Sequence, residues 1–100
     1  MKRYTVYVTP NAWKEIKDLP GHVRQRVRRA IDALAENPRP ARSKQLDVPD
    51  LEPELHRFRL DRWRIVYAIT KERHFVDVLA VRKRPPYDYD DLEDLIAELL

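Results

Sequence analysis

Apolar residues recur along this chain with two periods, and each change of period marks an element. From Tyr4 to Thr9 they alternate, with Tyr4, Val6 and Val8 on one face, which predicts a half-buried strand. Thr9-Pro10 then has the form of a helix N-cap followed by proline at the first helical position. The helix it opens runs to about Leu19 on an Ala12, Ile16, Leu19 stripe, with the flanking Trp13 expected in the core. Pro20-Gly21 breaks the chain at its only glycine. A longer helix from about His22 to Glu36 buries Val23, Val27, Ala30, Ile31 and Leu34, leaving Arg24, Arg26, Arg28 and Arg29 mostly off that stripe. Asn37-Pro38-Arg39-Pro40 stops it.

The segment from Ala41 to Pro53 is irregular and punctuated by proline, with Lys44-Gln45-Leu46 as a candidate short strand. Alternation returns in three strands near Glu54–Leu60, Arg62–Thr70 and His74–Arg82. Asp61 is the turn residue between the first two, and Thr70 to His74 forms a polar hairpin turn. Pro85-Pro86 ends the last strand. From Asp88 onward the period lengthens again: Leu92, Leu95, Ile96 and Leu99 share a helix face, and acids fill the first turn, where the helix dipole favours them. The order β-α-α-β-β-β-α describes one α+β domain over residues 1–100, with 88–100 as an acidic C-terminal helix. Two helices between the first and second strands are expected to cover one face of a small antiparallel sheet.

Charge changes this picture in two places. Arg57, Arg59, Arg62 and Arg64 all fall within strands that would ordinarily carry β-branched and aromatic residues. Alternation puts Arg57 and Arg59 on one face and Phe58 and Leu60 on the other, so one sheet face presents guanidinium groups suited to phosphate. The net charge of +3 also hides an asymmetry. Up to Tyr87 the chain carries 20 basic and 11 acidic residues; beyond it come six acids and no base. Such a basic body with an acidic tail suits a nucleic-acid partner, an acidic protein partner, or both in turn. The absence of cysteine excludes disulfides and thiolate metal sites. No apolar run has the length of a membrane span, and Met1-Lys2-Arg3-Tyr4 lacks the apolar core of a signal peptide, so a cytoplasmic protein is expected.

Several of these residues stand together as a signature. The first strand runs into Thr9-Pro10-Asn11-Ala12, and Lys44-Gln45-Leu46 precedes the sheet. Arg57-Phe58-Arg59 leads to Trp63-Arg64-Ile65-Val66-Tyr67, and Val81-Arg82-Lys83-Arg84 is followed shortly by tyrosine. In this order and spacing, over nearly the whole chain, the sequence resembles the RelE/ParE superfamily of toxins from type II toxin–antitoxin modules. The resemblance implies a RelE-like fold, no metal or cofactor, and a cognate antitoxin bound in a hetero-oligomer. It also implies one of two activities. RelE-like members are mRNA interferases, endoribonucleases that cut messenger RNA on the ribosome by attack of a ribose 2′-hydroxyl on the adjacent phosphate. ParE-like members inhibit DNA gyrase without such chemistry. Ribosome-dependent cleavage is the expected activity; a gyrase inhibitor and a non-toxic, antitoxin-binding homologue are the alternatives.

The resemblance also assigns roles. Arg64 matches the arginine that neutralises the scissile phosphate, where a guanidinium stabilises a dianionic phosphorane more than the ground state. Its alternative is a structural ion pair with Asp61, Asp77 or a tail carboxylate. Arg84 matches a second arginine that stabilises charge. Arg57 lies where RNA-cleaving relatives often carry a lysine taken as general base, and Leu55 occupies another such lysine position. Arginine stays protonated at ordinary pH and is a poor base, so this departure favours the non-nuclease alternatives. Alternation points His56 away from Arg57, as a satisfied or partly buried histidine; Lys44 or Lys83 would supply a titratable amine only if burial lowered its pKa. Tyr87 and Tyr89 follow Arg84 at about the distance of the family's base-stacking tyrosine, a contact worth roughly 1–3 kcal/mol. Tyr87 has a structural alternative, packing the tail helix on the sheet. The expected catalytic set is therefore Arg57, Arg64, Arg84 and Tyr87. Lys44, Arg59, Arg62, Arg82, Lys83 and Tyr89 form the expected RNA- and phosphate-binding set. Asp88, Asp90 and Asp91 are expected near Arg64 and Arg84, where the docked tail would shield the basic face.

Overall fold

In the computed structural model, which describes residues 3–48 and 53–99, strand β1 (Thr5–Val8) passes into helix α1 (Pro10–Lys17) through Thr9. The Thr9 hydroxyl accepts the Ala12 N–H at 3.3 Å, the N-cap the sequence asks for. Helix α2 (Gly21–Ala33) follows, and then β2 (Ser43–Leu46), β3 (Glu54–Leu60), β4 (Trp63–Thr70), β5 (Phe75–Lys83) and the short helix α3 (Leu92–Ala97). The candidate strand around Lys44 is thus real and gives the sheet a fifth member. The strand order is β1-β5-β4-β3-β2, with every pair antiparallel except β1, which lies parallel to β5. Asp61 closes the β3–β4 hairpin with φ 55°, and His74 the β4–β5 hairpin with φ 57°. Short polar side chains of this kind tolerate the left-handed region better than branched ones.

Helices α1 and α2 cover one face. Ala12, Ile16, Leu19, Val23, Val27, Ile31 and Leu34 meet Ile65, Tyr67, Ile69, Val76, Val78 and Val81, all buried. Trp13 is not part of this core: it stays 47% exposed, because the α1 stripe turns the neighbouring Ala12 and Ile16 inward instead. The opposite face has a second, smaller core in which Leu95, Ile96 and Tyr87 cover Leu55, Val66, Ala68, Leu79 and Ala80. A register shift makes room for it. Val66 pairs with Ala80 but Tyr67 pairs with Val78, so Leu79 is an inserted residue and both it and Ala80 join the second core.

The outer edge of β5 is finished by side chains. Strand β1 pairs only with Phe75–Val78. Beyond that point the Asn11 amide donates to the Leu79 carbonyl at 3.1 Å, and the Glu15 carboxylate accepts the Val81 N–H at 3.1 Å. Helix α1 therefore satisfies backbone groups that a longer strand would otherwise have paired. No described helix is long and apolar enough to cross a membrane.

Candidate functional site

Register builds the site. Arg59 on β3 lies directly opposite Arg64 on β4, and Arg64 lies opposite Arg82 on β5. One row inward, Lys44 on β2 lies opposite Arg57, which in turn faces Val66. Directly opposed residues share a face, so these five cations lie on the face that carries Val66 and Ala80. Helix α3 covers the apolar part of that face, and the cations occupy the remainder, toward the β3–β4 turn. Arg84 reaches the same end, its N–H donating to the Arg62 carbonyl at 2.7 Å.

Most of these cations have no counter-ion among the described residues. Among the described residues, Lys44, Arg57, Arg59, Arg62, Arg64 and Arg84 form no salt bridge, whereas Arg26, Arg39 and Arg82 do. Arg57 donates to the Arg42 carbonyl at 3.1 Å. Arg64 donates to the carbonyls of Asp61 and Trp63 at 2.8 and 3.0 Å, so it is held in place while keeping its charge unpaired. The alternative for Arg64, an ion pair with Asp61, does not form among the described residues, where Arg26 on α2 takes the Asp61 carboxylate at 2.6 Å. The hydrogen bond from Arg26 holds that carboxyl below its usual range.

Two expected binding residues, Arg82 and Lys83, and the expected catalytic Tyr87 are placed differently. Arg82 is clamped between two carboxylates, Glu15 at 2.7 Å and Asp91 of the tail, and is neutralised within the chain instead of awaiting a phosphate. Lys83 pairs with Trp63 on the helix-covered side of the sheet, because it is one residue out of phase with Arg82. Tyr87 is buried, its hydroxyl donates to Asp91 at 2.7 Å, and the Arg82 guanidinium lies 4.9 Å from its ring centre. Burial first, and then the adjacent Asp91 carboxylate, push its phenol well above the ordinary value. Tyr87 thus packs the tail on the sheet, and its ring is engaged within the chain. Tyr89 takes φ 63° and lies under Arg84, whose guanidinium is 5.0 Å from its ring centre.

His56 is buried and turned away from Arg57; it meets Glu54 at 2.5 Å and stacks on Tyr67 at 5.7 Å. Two clefts open at this end of the sheet. One, of about 580 Å³, is bordered by Glu15, Trp63, Arg82, Tyr87 and Asp88 among others; a second, of about 330 Å³, is bordered by Arg42, Arg59, Asp61 and Arg64. Sequence reasoning missed Arg42 in this group, along with Glu15 and Asp91 as the partners of Arg82. No local periodicity marks them, since Arg42 enters through the pairing of β2 with β3 and Glu15 through the packing of α1 on the β5 edge.

A five-stranded sheet with a helical hairpin on one face, and on the other an arginine array without salt bridges among the described residues except at Arg82, defines a RelE-like α+β fold. The model of the family described as the ParE toxin of the type II toxin–antitoxin system parDE matches residues 6–85, and the chain belongs to that family, within the RelE/ParE superfamily. Solved structures give the same fold. The RelE–RelB complex of Pyrococcus horikoshii matches with a TM-score of 0.74 at 22% identity, covering 87% of this chain and 100% of that one. A RelBE complex of Mycobacterium tuberculosis matches with a TM-score of 0.70 at 25% identity, over 82% and 99% of the two chains. Isolated RelE of Escherichia coli matches with a TM-score of 0.67 at 23% identity, over 97% and 99%. A search among curated proteins gave no significant match. The protein is the toxin of a type II toxin–antitoxin module.

Proposed function

We propose that this toxin is a cytoplasmic, ribosome-dependent endoribonuclease that grips messenger RNA by its backbone and is silenced by its cognate antitoxin. The observation that carries this reading is the set of opposed cations Arg59, Arg64, Lys44 and Arg57, which lack carboxylate partners among the described residues. Like charges facing each other across strands are unfavourable, and an array of this kind is suited to a polyanion. Arg64 and Arg84 hold the scissile phosphate and stabilise its added charge in the transition state, with Arg57 beside them. The 2′-oxygen attacks phosphorus, the bond to the 5′-oxygen breaks, and the leaving 5′-oxygen takes a proton from water, giving a 2′,3′-cyclic phosphate and a 5′-hydroxyl. Lys44, opposite Arg57, adds a further cation along the RNA backbone, and the 2′-hydroxyl proton passes to solvent water. Tyr89, stacked with Arg84 and less buried than Tyr87, is the tyrosine proposed to meet a base once that arginine engages phosphate.

The family match to ParE toxins supports a second reading, gyrase inhibition through a protein interface. Mapping RNA 5′ ends after brief induction decides between them. Cuts inside translated codons, abolished by Arg64→Ala, are expected. Growth arrest with DNA damage and intact messages, unchanged in Arg64→Ala, would establish the gyrase reading. Absence of any growth effect would leave antitoxin binding as the function.

A further inference from the structure

Arg42 stands in the loop between α2 and β2, outside every element that carries the family signature. Two residues of β3 bind it through its backbone: the Arg59 N–H donates to the Arg42 carbonyl at 3.2 Å and the Arg57 guanidinium to the same oxygen at 3.1 Å. The loop is thereby fastened to the arginine strand. Its side chain closes the 330 Å³ cleft with Arg59, Asp61 and Arg64. All four bordering residues are charged, and the one acid among them is occupied by Arg26. Three arginines therefore line one concavity whose single bordering acid, Asp61, is held by Arg26, and among the described residues none of the three forms a salt bridge.

We infer that this cleft is a second phosphate subsite, taking the backbone phosphate next to the scissile one on a single-stranded RNA. The inference rests on the proposed RNA reading and extends it by naming where the strand runs. The track starts at Arg84, crosses Arg64, and continues to Arg59 and Arg42, two strands away from β5 and so roughly 10 Å along the sheet. Arg64 forms the wall shared by the two subsites. Planar guanidinium groups match phosphate oxygens in pairs, and three of them satisfy a phosphodiester without displacing an internal ion pair. The lining also argues against a protein ligand, because the cleft offers no aromatic or aliphatic seat for the buried anchors that protein interfaces rely on. Arg42 and Arg59 bind and position; neither reaches the reacting atoms.

The test uses the full chain and a short single-stranded RNA, 2′-O-methylated so that it cannot be cut, with affinity followed by fluorescence anisotropy over a salt series. Arg42→Ala and Arg59→Ala are each expected to weaken binding about threefold to tenfold at low salt and to lower the salt slope by about 0.7. Arg73→Ala, at the far β4–β5 hairpin, serves as the control and should change neither. Inorganic pyrophosphate gives a readout independent of RNA: it should raise the melting temperature of the unmodified chain more than chloride at equal ionic strength, and Arg42→Ala should remove the difference. Both substituted residues are exposed, and circular dichroism checks that the variants fold. Wild-type RNA binding with unchanged slopes in both variants would overturn the subsite and leave the RNA reading standing. If the wild type binds no RNA and the same substitutions weaken the antitoxin complex instead, the cleft is a protein interface and both readings fall.

Discussion

At the scale of single residues, charge that the fold leaves uncompensated separates functional positions from structural ones. Arg59 opposite Arg64 is a like-charge pair in a sheet, and such pairs cost stability when nothing neutralises them. Arg59→Gln should therefore stabilise the isolated protein by about 0.2–1 kcal/mol in urea unfolding, and polyphosphate should narrow the gap. Arg82 has the opposite character, since it is already paired and loses its partners when replaced. Tyr67 shows a third kind of position. It is fully buried, its hydroxyl donates to the Pro38 carbonyl at 2.7 Å, and burial pushes its phenol up to about 12. The folded chain keeps this proton where the unfolded chain has lost it. The contribution is thus complete below pH ~10 and is lost as pH rises toward 12, at about 1.4 kcal/mol per pH unit. Alkaline unfolding followed by circular dichroism should show this slope. Tyr67→Phe should abolish its share of the slope while costing about 1–3 kcal/mol near neutrality, because it leaves the Pro38 carbonyl unpaired.

At the scale of elements, α3 is too short to be stable alone and owes its place to the surface beneath it. Leu95 and Ile96 fill the second core, and Asp91 fastens the segment through Arg82 and Tyr87. Burial pushes the Asp91 carboxyl up, but the hydrogen bonds from Arg82 and Tyr87 outweigh it and hold it below the usual range. Its contribution is present above the pH where a free carboxylate titrates and disappears as pH falls through the depressed value. Methyl shifts of Leu95 and Ile96 should accordingly move when the solution is taken below pH ~4, before the helices α1 and α2 unfold. Asp91→Asn should reproduce that loosening at neutral pH, with roughly tenfold faster amide exchange across α3. The N-terminal half behaves differently. Its helices were legible in the sequence because the Thr9-Pro10 cap, the Pro20-Gly21 break and the apolar stripes are local signals that the packing later obeyed. The strand at Ser43–Leu46 had only a weak local signal and exists through its pairing with β3.

For the whole molecule, the two faces of the sheet divide the work: one is closed by α1 and α2, and the other is shared between an apolar patch under α3 and the cation array. Removing residues 92–100 should expose Leu55, Val66, Ala68, Leu79 and Ala80 together, giving self-association by light scattering. A gain in RNA affinity after that truncation would therefore not establish shielding. Replacing Asp88 and Asp90 with asparagine is the cleaner test, because both are exposed and border the Tyr87 cleft, apart from the Arg42 cleft. The salt slope of RNA binding is expected to stay unchanged, and a steeper slope would show that the tail masks the arginines. The sequence by itself determined the α+β class, the order of the main elements, the toxin family and the presence of arginines on one strand face. The class, the element order and the strand face follow from periodicity, caps and spacing along the chain, and the family from the resemblance its motifs carry. Only the tertiary structure decided which arginines remain without a salt bridge among the described residues. That outcome depends on the bulge at Val66 and Tyr67, on β2 bringing Arg42 beside Arg59, and on α1 and the tail delivering Glu15 and Asp91 to Arg82. Each is a contact between distant segments, and guanidinium groups of equal charge in the sequence become different groups once their neighbours are set.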